Sequence, residues 1–339
     1  MKFVEAAGAR VSAIGVGTWQ FGAREWGYGE EYALKTAGEI VRRALELGIN
    51  LFDTAEIYGM GRSERILGDT LEVQDWRDRA FLATKFWPVL PTAAMVAQRA
   101  RASAARLQTD RIDLYQAHWP NPMFPTRMVL SSMRELQESG LVTHLGVSNY
   151  GLSRWKEAES AVGGPVLSNQ VSFSLVNRKP LREMVPWAQA NDRIVIAYSP
   201  LAQGLLGGRY DEDNRPSDLR SANRLFLPES LRAARPLIDS LRDIAKAHEA
   251  RPAQVALAWL ISHPNVVAIP GASSVEQLES NAAAADLELS ESDQARLTET
   301  SEAFVPPSPL AAAPGILKSL VGRMSNRWRG PGALRRSGR

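Results

Sequence analysis

The run ALKTAGEIVRRALELGINLFDTAEIY, residues 33–58, contains a helix, a tight turn, a short strand and a polar strand end. Leu34, Ala37, Val41, Ala44 and Leu45 recur at the spacing of one helix face, and Gly48 stands where a left-handed C′ residue ends a helix. Residues 50–52, Asn-Leu-Phe, are a brief candidate strand, and Asp53-Thr54 follow it directly. A helix that turns into a buried strand with a polar end is half of an α/β repeat.

The same alternation extends in both directions. Candidate strands fall at residues 13–16, 50–52, 80–84, 112–116, 143–147, 166–169, 194–197 and 266–269, eight in all. Between them lie amphipathic helices. Thr92 is placed to cap one that buries Met95, Val96, Ala100, Ala104 and Leu107, and Val129, Leu130, Met133 and Leu136 line the next before Gly140. Eight parallel strands with outer helices close into a (β/α)8 barrel of the TIM type. Residues 1–14, MKFVEAAGARVSAI, alternate enough to predict a hairpin on the barrel floor. Two segments exceed the bare repeat: a long polar loop at residues 199–229, after the seventh strand, and the chain beyond Ser301. The expected organisation is a barrel with extra helices over residues 1–302 and a basic tail over 303–339.

Composition narrows the function classes. The chain has 339 residues, 45% hydrophobic and 23% charged, as a globular protein does. It has no cysteine, which removes disulfides, thiolate nucleophiles and cysteine-bound metals. The four histidines, His118, His144, His248 and His263, form no short-spaced ligand pair, so no metal is expected. No apolar run is long enough for a signal peptide core or a membrane span, and a cytoplasmic protein is expected. Of the net charge of +3, seven basic residues lie after Glu302 with no acid among them, leaving about −4 on the rest. The basic charge therefore belongs to the tail and does not point to nucleic acid. In the tail, Ile316, Leu317, Leu320, Val321, Met324 and Trp328 recur at helical spacing. That stripe is expected to dock on the barrel, with a membrane-surface helix as the alternative. Nothing in the composition sets an oligomeric state.

In a (β/α)8 barrel the active site forms where the strands end. The residues there are Gly17-Thr18-Trp19, Asp53-Thr54, Lys85, His118, Ser148-Asn149, Gln170, Tyr198-Ser199 and Gly271-Ala272-Ser273. Asp53 and Lys85 leave neighbouring strands and are expected to pair. A phenol has a pKa near 10, and an adjacent ammonium lowers it, so Lys85 is expected to bring Tyr58 within range of general-acid work. A neutral His118 is suited to orient a carbonyl oxygen. The hydride for such a reaction must come from a cofactor, since no side chain here is redox-active. Nicotinamide fits, with Tyr198 to stack on its ring and Ser148, Asn149 and Gln170 to bind its carboxamide. No Rossmann or P-loop glycine motif is present. At IPGASSVEQLESN, residues 269–281, Ser273 or Ser274 is the N-cap with Glu276 or Gln277 three residues on, a helix start able to bind phosphate. The plainer reading is capping for Ser148, Asn149 and these serines, and core packing for Tyr198.

The motifs DTAEIYGMGRSE, LATK, LYQAHWP, GVSN, NQVSFS, AYSPLAQGLL and IPGASSVEQLESN resemble, in order and separation, those of the aldo-keto reductases, over roughly residues 10–300. The resemblance implies a catalytic tetrad of Asp53, Tyr58, Lys85 and His118. It also implies cofactor contacts at Thr18, Asp53, Ser148, Asn149, Gln170, Tyr198, Ser199, Leu201 and Gln203, with Arg209 in GLLGGRY as a phosphate contact and Gly271, Ser273, Gln277 and Asn281 around the adenosine end. Trp19, Trp87 and Trp119, with Tyr58 and His118, fall where the family places its substrate wall. NADPH is the cofactor implied, yet residues 271–277 read GASSVEQ and lack the usual cation for its 2′-phosphate, so NADH stays open. Two other readings compete: a nucleotide-binding partner protein with little catalysis, and a barrel hydrolase. The hydrolase needs two strand-end acids, and only Asp53 qualifies.

Overall fold

In the computed structural model, residues 1–22, 35–72, 76–216 and 219–306 are described. The first fourteen residues form the expected hairpin, with β1 (Phe3–Ala6) antiparallel to β2 (Ala9–Ser12). Eight further strands make one parallel sheet: β3 (Val16–Gly17), β4 (Leu51–Asp53), β5 (Phe81–Phe86), β6 (Ile112–Ala117), β7 (Val142–Ser148), β8 (Ser168–Ser172), β9 (Ile194–Tyr198) and β10 (Val266–Ala268). They pair in chain order from β3 to β10. Parallel bridges between Ile14 and Ala268 and between Gly17 and Gly271 then join the first strand to the last, closing the barrel. The (β/α)8 expectation holds.

Several strands run further than the sequence suggests. Lys85 and Gln170 lie inside β5 and β8, and Asp53, Ser148 and Tyr198 are the last residues of β4, β7 and β9. The largest shift is in β8, expected at residues 166–169 and found at Ser168–Ser172. Pairing with β9 carries it past the apolar run through Gln170 and Ser172, polar residues that hide a strand from a reading by hydrophobicity.

Two apolar layers hold the barrel. Inside it, Leu51, Ala83, Leu114, Leu167, Ile194, Ile196, Val267 and Ile269 form a core continuous with Ala6, Ala9 and Val11 of the hairpin, which thus plugs the floor. Outside it, the sheet packs against the helices: α1 (Trp19–Gly22), α2 (Ala37–Glu46), α3 (Arg62–Glu72), α4 (Ala93–Arg106), α5 (Thr126–Glu138), α6 (Leu152–Val162), α7 (Pro180–Ala190), α8 (Pro228–Ala247), α9 (Pro252–Ile261), α10 (Val275–Ala283) and α11 (Glu291–Ala303). The helix signals read from sequence are realised. The Thr92 side chain accepts from Met95 N, and Gly48 and Gly140 have φ of +80° and +78°. Met95 itself is half-buried, whereas Val96, Ala100, Ala104 and Leu107 are buried as expected.

Among its described residues, the long loop after β9 has 3-10 turns at Ala202–Gly207, kinked at Gln203 and Gly204, at Leu219–Ala222 and at Arg224–Phe226. Leu34 and the amphipathic stripe of the tail lie outside the described residues. Among the described helices, none is long and apolar enough to cross a membrane.

Candidate active site

Three of the four expected catalytic residues meet in one hydrogen-bonded chain at the C-terminal mouth of the barrel. The Lys85 ammonium, fully buried, donates to Asp53 Oδ2 at 2.7 Å, to the Thr54 carbonyl at 2.8 Å and to the Tyr58 hydroxyl at 3.3 Å. Asp53 is buried as well, and its other oxygen accepts from Gln170 Nε2 at 2.7 Å. His118 closes the group from β6's end, its ring edge-on to Tyr58 with centroids 6.0 Å apart.

Close packing at glycine fixes the Tyr58 turn. A Cβ on Gly22, at the end of α1, would lie 2.6 Å from the Tyr58 carbonyl carbon and 2.7 Å from Gly59 N. Gly59 has φ +57°, and a Cβ there would meet Gly22 O. A Gly22→Ala variant must therefore push α1 and the Tyr58 turn apart. We expect it to lower kcat of any reaction that uses the Tyr58 hydroxyl by about 10- to 100-fold, the scale of a small misplacement of a reacting group, with the far-UV spectrum unchanged. Steady-state assays of the two proteins check this. Below the turn, Ser63 accepts from Thr54 Oγ1 at 2.9 Å and donates to Thr18 O at 2.8 Å, tying the start of α3 to two strand ends. The Thr18 hydroxyl is occupied in that network, donating to Asp53 O.

The electrostatics differ from expectation at Tyr58. Burial pushes its hydroxyl above the ordinary tyrosine value; Lys85 offsets part of the rise, and Asp53 adds to it. Desolvation of the phenolate outweighs the ammonium, so Tyr58 holds its proton at neutral pH. Burial alone would pull Lys85 down, but Asp53 and Tyr58 outweigh it and hold the ammonium above its usual range. His118 is neutral as expected, because burial first and Lys85 second bring it from 6.5 down to about 3. The sign for stability follows. Between pH 6.5 and about 3 the unfolded chain binds a proton at His118 that the folded chain refuses, so stability falls as pH falls through this window. A His118→Gln variant should show a shallower loss of denaturation midpoint from pH 6.5 to 4.5. An identical loss would count against this origin.

The residues expected to hold nicotinamide also come together. Tyr198 OH donates to Asn149 Oδ1 at 2.9 Å, Asn149 Nδ2 donates to Ser148 Oγ at 3.0 Å and to His118 O at 3.2 Å, and Ser148 Oγ donates to Gln170 O at 3.0 Å. Asn149 and Ser199 sit in the left-handed region at φ +62° and +51°. At the head of α10 the capping alternatives resolve: Ser274 is the N-cap and accepts from Gln277 N, while Gln277 Oε1 accepts from Ser273 N and Oγ. Asn281 reaches back to Gly271 O. The Arg209 guanidinium stacks on Tyr210, 4.6 Å from the ring centroid. Trp87 and Trp119 pack on His118 with centroids 6.0 and 5.9 Å away, and Trp19 follows Thr18 on α1.

Two features escaped the sequence reading. Gln116 is fully buried and its Nε2 donates to Asp53 Oδ1 at 3.4 Å. Its signal was parity: it stands two residues before His118 on β6 and so faces the barrel interior with it. Arg220 and Asn223 reach Gln203, to its carbonyl and its side-chain oxygen, across a loop that no periodicity constrains. A cleft of about 780 Å³ opens beside this loop and includes Ser199 and Gln203 but none of the tetrad. The buried charge pair and its tyrosine, not the size of a cleft, locate the chemistry.

A closed (β/α)8 barrel with a carboxylate, an ammonium and a protonated tyrosine at its C-terminal mouth defines a class of barrel oxidoreductases. Residues 13–302 match the Aldo/keto reductase family, to which the chain belongs. An uncharacterized oxidoreductase of Mycobacterium tuberculosis is 56% identical over 309 residues, covering 91% of this chain and 95% of that one. A methylglyoxal reductase of Escherichia coli is 33% identical, covering 87% and 93%. Among solved structures, an aldo/keto reductase of Klebsiella pneumoniae in complex with NADP and acetate superposes with a TM-score of 0.72 at 30% identity, covering 91% of this chain and 96% of that one.

Proposed function

We propose that this chain is a cytoplasmic NADPH-dependent enzyme that reduces an aldehyde or ketone to the alcohol, with Tyr58 as the general acid. The observation that carries the reading is the Lys85 ammonium held between Asp53 Oδ2 and the Tyr58 hydroxyl in a buried mouth. The residues around it fit a nicotinamide nucleotide. Tyr198 offers an aromatic face, and Ser148, Asn149 and Gln170 offer the amide and hydroxyl groups that a carboxamide needs. When bound, the nicotinamide supplies hydride to the carbonyl carbon.

The chain's own residues do the rest. Tyr58 carries a proton that burial keeps in place, and it gives that proton to the carbonyl oxygen as negative charge develops there. Lys85 takes up the charge left on Tyr58, at 3.3 Å, and Asp53 keeps Lys85 charged and aimed. Neutral His118 orients the carbonyl oxygen, and Trp87 and Trp119 pack on its ring.

Leu201, Gln203 and Arg209 are proposed for the pyrophosphate, and Gly271, Ser273, Gln277 and Asn281 for the adenosine end. NADPH is favoured by the NADP complex of the Klebsiella relative, and comparing kcat/KM for NADPH and NADH tests it directly. Methylglyoxal, from the name of the Escherichia coli relative, is a suitable first substrate. NADPH consumption over a panel of aldehydes and ketones tests the activity, and binding of NADPH with no consumption across the panel would sink it.

The pH dependence has a stated sign. Because the Tyr58 pKa is raised, its proton is present through neutral pH and is lost only above the ordinary tyrosine range near pH 10. Reduction should therefore show no fall in kcat between pH 6 and 9 from Tyr58, whereas alcohol oxidation, which needs the phenolate, should rise towards alkaline pH. Parallel kcat profiles in the two directions check this.

A further inference from the structure

Among the described residues, nine of the ten exposed large apolar side chains sit on the segments that follow four consecutive strands, β3 to β6, seven of them on loops and Trp19 and Met128 on the first turns of α1 and α5. Three are the tryptophans beside the tetrad. The other six are Ile57, Met60, Val89, Leu90, Met123 and Met128, with Met60 85% and Met123 79% exposed. Exposed apolar side chains scattered singly need no explanation, but a concentration on one sector of one rim does.

The sector is continuous. Glu56, next to Ile57, accepts from Trp87 N at 2.7 Å and joins the β4 and β5 loops. The Asn121 side chain donates to Pro88 O, and Ser132 Oγ donates to Pro91 O, joining the β5 loop to the β6 loop and α5. Trp87 and Trp119, 6.5 Å apart, are its inner margin and pack directly on His118. Exposed apolar side chains thus stand beside the proposed carbonyl position, where Ile57 and Met60 flank the Tyr58 turn and Val89 and Leu90 follow Trp87, and further ones lie on the loop and helix tied to them. The other side of the mouth is polar, with Ser148, Asn149, Gln170 and Tyr198.

We infer that this apron receives the apolar body of the substrate, so that the preferred carbonyl compounds carry an extended hydrocarbon chain and not a small polar frame. The inference rests on the proposed activity and adds its substrate class. Continuity with His118 and Tyr58 singles out a substrate as the occupant, since a chain attached to a carbonyl at His118 must leave the mouth along one side, and this side is the apolar one. Two of the outermost residues are methionines, unbranched side chains that adapt to ligands of different shape.

The test uses the full chain and straight-chain aldehydes from butanal to decanal. Burial of one methylene contributes about 0.8 kcal/mol when complete and less on an open surface, so kcat/KM should rise about two- to fourfold per added methylene. In a Met60→Gln, Leu90→Gln, Met123→Gln triple variant the ratio of decanal to butanal kcat/KM should collapse towards one. Turnover of butanal with a flat or falling series overturns the inference and leaves the proposed activity standing. A rise that persists undiminished in the triple variant also overturns it, as does sedimentation showing a dimer that the variant dissociates, which would give the apron to a second copy. No turnover of any aldehyde overturns both readings.

Discussion

Replacing Tyr58 with phenylalanine should lower kcat for carbonyl reduction by about two to four orders of magnitude, the contribution expected of a positioned general acid. The substitution removes one oxygen and keeps the ring that faces His118. It also removes one of three acceptors around Lys85, leaving Asp53 Oδ2 at 2.7 Å and Thr54 O at 2.8 Å in place. The ammonium therefore stays paired, and the fold should be retained. NADPH binding, followed by fluorescence titration, should be near that of the parent because no proposed nucleotide contact is touched. A variant that binds NADPH and turns over at the parent rate would remove Tyr58 from the mechanism.

Lys85→Met should have the second-largest effect, and on two separate quantities. Lys85 is fully buried, so its loss leaves the Asp53 carboxylate, itself buried, with only the amides of Gln170 and Gln116. Breaking a buried pair by removing one member typically costs about 3–5 kcal/mol. Urea denaturation should show that loss. The double variant Lys85→Met, Asp53→Asn removes the uncompensated charge and should recover part of the stability, whereas activity should stay lost in both. That separation distinguishes the stability of the buried pair from the chemistry, in which Lys85 and Asp53 both take part. A single variant as stable as the parent would contradict the buried pairing.

Much of this site was legible because barrel geometry converts sequence position into spatial position. Asp53, Lys85 and His118 lie at the ends of consecutive strands, so an alternating pattern was sufficient to gather them. Tyr58 lies five residues past Asp53 on a turn, and its place beside Lys85 depends on the approach of Gly22 to Gly59, a contact between segments far apart in the chain. The resemblance to the family supplied that placement; periodicity did not. The direction of the Tyr58 shift was also out of reach. It is decided by how completely the phenol is buried, which the neighbouring ammonium alone does not reveal. Gln116 was passed over because, within the strand IDLYQA, it is marked only by sharing a face with His118. Arg220 lies in one 3-10 turn of a long loop and Asn223 caps the next, where neither period 2 nor period 3.6 orders the side chains.

The central claim is that this barrel moves a hydride onto a carbonyl carbon while Tyr58 gives a proton to its oxygen. The most direct measurement uses NADPH carrying deuterium at the transferred position of C4, an aldehyde substrate and mass spectrometry of the alcohol. The parent protein should yield alcohol with one deuterium on the carbinol carbon, and Tyr58→Phe should yield almost none in the same time. Alcohol without deuterium, or equal labelling by the two proteins, would contradict the account.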